Sequence, residues 1–265
     1  MYRSLRFAAL AIALVAPRAV AIERVTDEQV KGLIQDIAKG FDTWKADLKE
    51  NHLGSALITS SAGTMSLEKF LESFGTAVDN AKDRFDPKKN AANSEVVALL
   101  RLGSDVVLQQ RRQGEAPRST WVPLSSNLQA LAHAYSLPWP IESMSVQAAR
   151  LPEKELANKV EQMKSSANQL WDEKEQAVKN DKAISDTTRE SLKKSVEQLR
   201  EMADGVHSRI EDEKPAEVEV SQLLTQVKNV KETLTKFSLF SAGGAWRGID
   251  SGAEALAREF ALAKP

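Results

Sequence analysis

The residues best able to do chemistry are few and scattered. His52, His133 and His207 stand alone, with no His-x-x-x-His or His-Glu-x-x-His pairing anywhere in the chain. Asp204-x-x-His207 puts a carboxylate and an imidazole on one helix face. A carboxylate-bridged di-metal bundle, however, needs two Glu-x-x-His motifs plus two further glutamates on facing helices. Only a fragment of that pattern is present, so His207 is expected at the surface beside a solvated aspartate. The chain has no cysteine, which excludes covalent haem attachment, thiolate metal sites, a thiol nucleophile and a disulfide framework. A non-covalent haem would need a histidine joined by a methionine or second histidine between helices, and Met163 and Met202 sit at or beside an apolar seam, where methionine fills gaps. The sequence therefore points to no metal and no cofactor.

The densest group of reactive types is Ser125, Ser126, His133, Tyr135 and Ser136, with Glu142 close behind. His133 and Ser126 lie two helical turns apart, too far for direct proton transfer, and neither a Gly-x-Ser-x-Gly elbow nor a phosphate-binding glycine loop occurs. An enzyme is the least supported reading. Trp121, Tyr135 and Trp139 read instead as a plug closing one end of the first half, or as the wall of a small-molecule pocket. Gly243-Gly244-Ala245-Trp246-Arg247-Gly248 follows an expected helix, not a strand, so it is no nucleotide loop. Trp246 with Arg247 either anchors a partner on a hinge or packs on the bundle end. The candidate contact residues are thus Trp121, His133, Tyr135, Trp139, Trp246 and Arg247.

The elements that must carry these residues are helical. Leu156, Val160, Met163, Ala167, Leu170, Lys174 and Ala177 keep alternating steps of four and three, drawing a narrow seam that Lys174 alone interrupts. Leu192, Val196, Leu199, Ala203, Val206 and Ile210 repeat it, as do Leu223, Val227, Val230, Leu234 and Phe237. Three such helices joined by short turns at 181–185 and at Lys214-Pro215 predict an antiparallel, coiled-coil-like three-helix bundle over 151–265, with a short terminal helix through Ile249, Leu256 and Phe260. Interleaved charges such as Glu153, Lys154, Glu155 and Lys159 mark its solvated face.

Upstream, Thr26 with Gln29 has capping-box spacing and opens a helix whose stripe runs Val30, Ile34, Ile37, Phe41, Trp44 and Leu48. The stretch from Ser55 to Thr64 reads as a loop with Leu57 and Ile58 turned inward. Ser66 opens a second helix that Asp86-Pro87 stops. Asn93 or Ser94 caps a third, with Gly103 inside it for close packing and Arg111-Arg112 in its last turn, where cations offset the negative helix end. Thr120 caps a fourth helix, with Pro123 in its first turn. Pro138-Trp139-Pro140 cannot continue a helix. The expected fold is all-α, with seven to eight helices in antiparallel bundles: an N-terminal helical domain over 22–136, a Pro-rich junction over 137–150 and the three-helix bundle after it. No run alternates with period two for long enough to suggest a sheet.

Residues 1–21 read as a secretory signal. Arg3 and Arg6 precede an apolar run from Phe7 to Ala16, and Ala19-Val20-Ala21 is a small-x-small cleavage site, so a mature chain is expected to begin at Ile22 in the periplasm or outside the cell. That run is shorter than the roughly 20 residues needed to cross a bilayer, and no later stretch is apolar enough, so no transmembrane segment is expected in the mature chain. Loss of Arg3, Arg6 and Arg18 takes the net charge from -1 to -4. A mildly acidic, evenly mixed surface offers no field for phosphate backbones, which argues against nucleic acid. The leading reading is an exported, non-enzymatic helical-bundle protein that binds another protein as an adaptor, scaffold or chaperone-like module. The alternative is a bundle holding a small molecule or cofactor near Trp121, Tyr135 and Trp139.

Overall fold

The computed structural model describes residues 24–51, 57–60, 63–114, 116–181 and 184–262. The expected signal segment over 1–21 and His52 lie outside these residues. The described chain is an all-α helical bundle protein with eight helices and one two-stranded hairpin. In order these are α1 (Asp27–Glu50), β1 (Leu57–Ser60), β2 (Gly63–Ser66), α2 (Leu67–Arg84), α3 (Asn93–Gln113), α4 (Trp121–Ala134), α5 (Glu153–Asn180), α6 (Asp186–Glu211), α7 (Glu217–Lys236) and α8 (Ala245–Glu259).

Side-chain caps set three of the eight helix starts. At α1 the Thr26 side chain accepts from the Gln29 backbone N–H, and Gln29 reaches back to the Thr26 N–H at 2.8 Å, completing the capping box. The Ser66 and Ser185 hydroxyls cap α2 and α6 in the same way. Two other caps differ from expectation. Ala92, in the left-handed region, precedes α3, because the Asn93 carboxamide is used elsewhere: it donates to the Arg150 carbonyl at 3.0 Å and accepts from the Arg150 N–H at 3.1 Å. Thr120 precedes α4 but makes no cap bond, since its hydroxyl donates to Asp47 at 2.9 Å. In both cases a tertiary partner outcompetes the local one.

The stretch read as a loop holds the hairpin. Leu57 pairs with Ser66, Ile58 with Met65, Thr59 with Thr64 and Ser60 with Gly63. Gly63 takes a positive φ of 112° at the turn, a conformation open to glycine. Ile58 is buried as expected, but Leu57 on the opposite face is 66% exposed, because successive strand side chains point to opposite sides.

Two hydrophobic cores result. One gathers α1 to α4 and the hairpin, the other α5 to α8. In the second, α5 packs most extensively on α6 and α8, so the terminal helix is a full fourth member and not a strap across three others. The expected seams are buried along α6 and α7, and along α5 as far as Leu170. Beyond Lys174 the buried residue is Val178 and Ala177 is exposed, because a straight helix drifts relative to a 3.5-residue repeat. Where two helices must approach closely, glycine permits it: a Cβ at Gly103 of α3 would lie 2.7 Å from Leu128 Cδ1 and 3.0 Å from Trp139 Cη2. Gly252 of α8 faces Met163 of α5 in the same manner. No described helix is long and apolar enough to cross a membrane.

Candidate functional site

The sequence-derived candidates separate into two kinds. Trp121 is 1% exposed and its ring centroid is 4.7 Å from that of Trp44. Tyr135 is buried and its hydroxyl donates to the Ala91 carbonyl. Burial pushes that phenol well above its ordinary pKa, so it remains a neutral donor. Trp139, half-buried, lies over Gly103. These three rings are each taken up by protein neighbours. Trp246 is buried too, edge-on to Phe240 at 5.3 Å between centroids, and the start of its helix is held by Glu173, whose carboxylate accepts the Ala245 N–H at 3.1 Å. Arg247 beside it is exposed.

His133 is exposed at the edge of a cleft of about 290 Å3 that also touches Arg24, Ser136 and Glu259. Ser126 is not its partner: that hydroxyl donates to the Val122 carbonyl at 3.0 Å. Nor do Asp204 and His207 act together. The Asp204 carboxylate takes the Lys164 ammonium at 2.9 Å, which lowers its pKa, while His207 Nδ1 lies 3.6 Å from Glu211. Among the described residues no group of three or more histidine or acidic side chains is arranged to hold a metal ion.

A polar cluster that sequence reasoning did not single out joins the two cores. Arg150, 4% exposed, donates to Asp27 Oδ1 and the Val25 carbonyl at 2.6 Å each and to the Ala134 carbonyl at 2.9 Å. Its guanidinium also lies 5.8 Å from the Tyr135 ring centroid. Arg24 bonds Glu153 at 3.2 Å, Glu259 at 3.3 Å and the Leu151 carbonyl at 2.6 Å. The other Asp27 oxygen accepts the Glu153 N–H at 2.7 Å, and Glu153 in return accepts the Asp27 N–H at 3.0 Å. The starts of α1 and α5 thus cap each other, each acidic side chain meeting the positive end of the other helix. Burial, then Arg150, lowers the pKa of Arg24; burial, then Asp27, raises that of Glu153. Arg150 Nε is buried without a partner. The charges of the cluster meet one another, with Arg24 and Glu259 also reaching the His133 cleft, and its chemistry is that of a clasp.

Open space lies instead on either side of the hairpin where it rests on the C-terminal half of α3. The first cleft, about 630 Å3, is floored by Trp44, Leu48, Ile58 and Val106 and rimmed by Gln109, Gln110, Gln113 and Arg118. Gln109 already handles strand backbone: its Oε1 accepts the Thr59 N–H at 3.0 Å, and its Nε2 lies 3.5 Å from the Leu57 carbonyl. The second cleft, also about 630 Å3, lies between Thr59-Ser60, the α3 face carrying Arg101, Asp105, Leu108 and Arg112, and the stretch from Ile141 to Met144. No family model, characterised protein or solved structure matches this chain.

The sequence carried a weak trace of this site. Gln109-Gln110-Arg111-Arg112-Gln113 crowds five polar residues onto the end of a helix whose earlier turns are apolar. That cluster reads equally well as a solvated helix end, and only the hairpin's position makes it a rim.

Proposed function

We propose that the protein is an exported, non-enzymatic interaction module that takes a segment of another protein into the cleft between the hairpin and α3. The observation that carries this reading is the pairing of an apolar floor with a rim of carboxamides beside an exposed strand residue, Leu57. An aliphatic side chain of the segment would fill the floor. Carboxamides offer both a donor and an acceptor, the complement of a peptide group in an extended backbone. A single cleft of this size supports a weak, exchangeable contact, in keeping with an adaptor or chaperone-like role.

The test uses a photo-crosslinking amino acid at Leu57, at Gln113 and, as a control, at Glu197 on the far face of α6, with a permanently unfolded polypeptide such as reduced, carboxymethylated lactalbumin as probe. Adducts are expected at the first two positions and not at the third. No adducts, or equal yields at all three, would sink the reading. Export is tested separately: N-terminal sequencing of the secreted chain should begin at Ile22, and a product retaining Met1 would overturn it.

A further inference from the structure

The second cleft faces a different chemistry from the first. One wall is fixed: Arg101 Nη2 donates to the carbonyls of Met144 at 2.7 Å and Val146 at 3.0 Å, and the Ile141 N–H donates to the buried Ser104 hydroxyl at 2.8 Å. Arg111 and Arg112 stand exposed on the other rim. Arg112 Nε donates to the Leu108 carbonyl of its own helix at 3.2 Å. Neither guanidinium has a carboxylate partner among the described residues. The cleft also carries two acidic side chains, Asp105, which is buried and engaged, and Glu142, which is exposed, so three arginines face two carboxylates. The same cleft is lined by Leu108, Ile141 and Met144, of which Met144 is 66% exposed.

Offsetting the helix dipole would account for one cation in the last turn of α3. It does not account for two exposed arginines, without acidic partners among the described residues, beside a third arginine and an exposed methionine. An arginine fork matches a carboxylate in two parallel hydrogen bonds, and a methionine accepts apolar groups of varied shape. We infer that this cleft receives an acidic side chain from the protein segment bound at the hairpin. The inference rests on the interaction-module reading and specifies the partner: an extended segment alternating apolar and acidic residues. The partner's charge is read by Arg111 and Arg112, and its apolar side chains, on the opposite face of the segment, by the floor of the first cleft.

The experiment measures fluorescence anisotropy of three labelled twelve-residue peptides, alternating Leu with Glu, Gln or Lys, against the full protein and its Arg111→Glu/Arg112→Glu variant. Both substituted positions are exposed at a helix end, where each charge is worth about 0.3–1 kcal/mol, so the variant should unfold cooperatively with a Tm lowered by only a few degrees. The Leu/Glu peptide should bind the parent about tenfold tighter than Leu/Gln at low salt, and the advantage should shrink at about 0.15 M salt, where the Debye length is about 8 Å. The variant should bring Leu/Glu to or below the Leu/Gln level and leave Leu/Gln unchanged. Equal binding of Leu/Glu and Leu/Gln, untouched by the double substitution, overturns this inference and leaves the apolar cleft standing. If none of the peptides binds, both readings fall. An oligothymidylate that displaces Leu/Glu with equal potency overturns the assignment in favour of a phosphate ligand.

Discussion

The core of α5 to α8 is lined almost wholly by aliphatic residues that recur along each helix every three or four positions, while the core of α1 to α4 is centred on Phe41, Trp44, Phe70, Phe74 and Trp121 from three different helices. Phe41 stacks on Phe74 at 5.0 Å and 3°, and Trp44 meets both Phe74 and Trp121 edgewise or tilted. A seam repeated along parallel rods buries itself completely, because each layer resembles the last. A cluster of large rings from elements of unequal length does not tile so evenly, and the clefts lie beside it: Trp44 belongs both to the aromatic cluster and to the floor of the first cleft. The contrast teaches where binding surface arises here. The periodic half is filled by its own neighbours, and the irregular half, with its hairpin, leaves space open.

The largest expected break in that contrast is Trp121→Ala. Removing a fully buried indole at the centre of the cluster should cost about 3–5 kcal/mol and abolish much of the near-UV circular dichroism, whereas Leu199→Ala in the other core should cost about 2–5 kcal/mol and leave that signal in place. Equal loss of the signal in both would mean that the cores do not pack independently. Comparable in size is Arg150→Met at the clasp. Leaving the buried Asp27 carboxylate with only the longer 3.6 Å ion pair to Arg24 should cost about 3 kcal/mol in urea denaturation. By contrast, Lys228→Ala, which breaks a 3.9 Å pair exposed on both sides, should change stability by less than about 0.5 kcal/mol.

A smaller effect is expected at the two tight glycines. Gly103→Ala and Gly252→Ala each gain up to about 1 kcal/mol of helix propensity but must push aside Leu128 and Trp139, or Met163, at about 1–3 kcal/mol. A net loss at both would place them in the same class. A net gain at Gly103 alone would show that the irregular core yields more readily.

The smallest effect is a pair of opposed pH dependences. The pKa of Glu153 is raised by burial and by Asp27, so its contribution is full below the ordinary carboxylate value and fades as pH rises through the raised one. The pKa of Asp204 is lowered by its bond from Lys164, so its contribution is present above the ordinary value and fades as pH falls through the lowered one. Urea midpoints measured against pH should lose the first slope in Glu153→Gln and a fainter, opposite one in Asp204→Asn. An unchanged profile in Glu153→Gln would contradict the role assigned to the clasp.

The local part of this molecule can be read from the chain alone. The Thr26–Gln29 box, the Ser66 and Ser185 caps, the breaks at Asp86-Pro87 and Lys214-Pro215, and the seams of α6 and α7 each depend on residues within a few positions of one another, and each holds in the structure. The hairpin escaped because four-residue strands are too short to establish a period of two. The clasp escaped because Arg24, Asp27, Arg150, Glu153 and Glu259 are single charges, and the bonds joining them span up to 235 residues of chain. Trp121, Tyr135 and Trp246 were legible as aromatic anchors, but only packing decided that they serve the cores. Arg111 and Arg112 were legible as helix-end cations, but only the hairpin and the Ile141–Met144 stretch, brought to α3 by the fold, turned them into one side of a cleft. Hydrogen-bond caps and apolar periodicity act over one or two turns and so are written in the chain. Clefts and buried ion pairs exist only between segments that tertiary packing brings together.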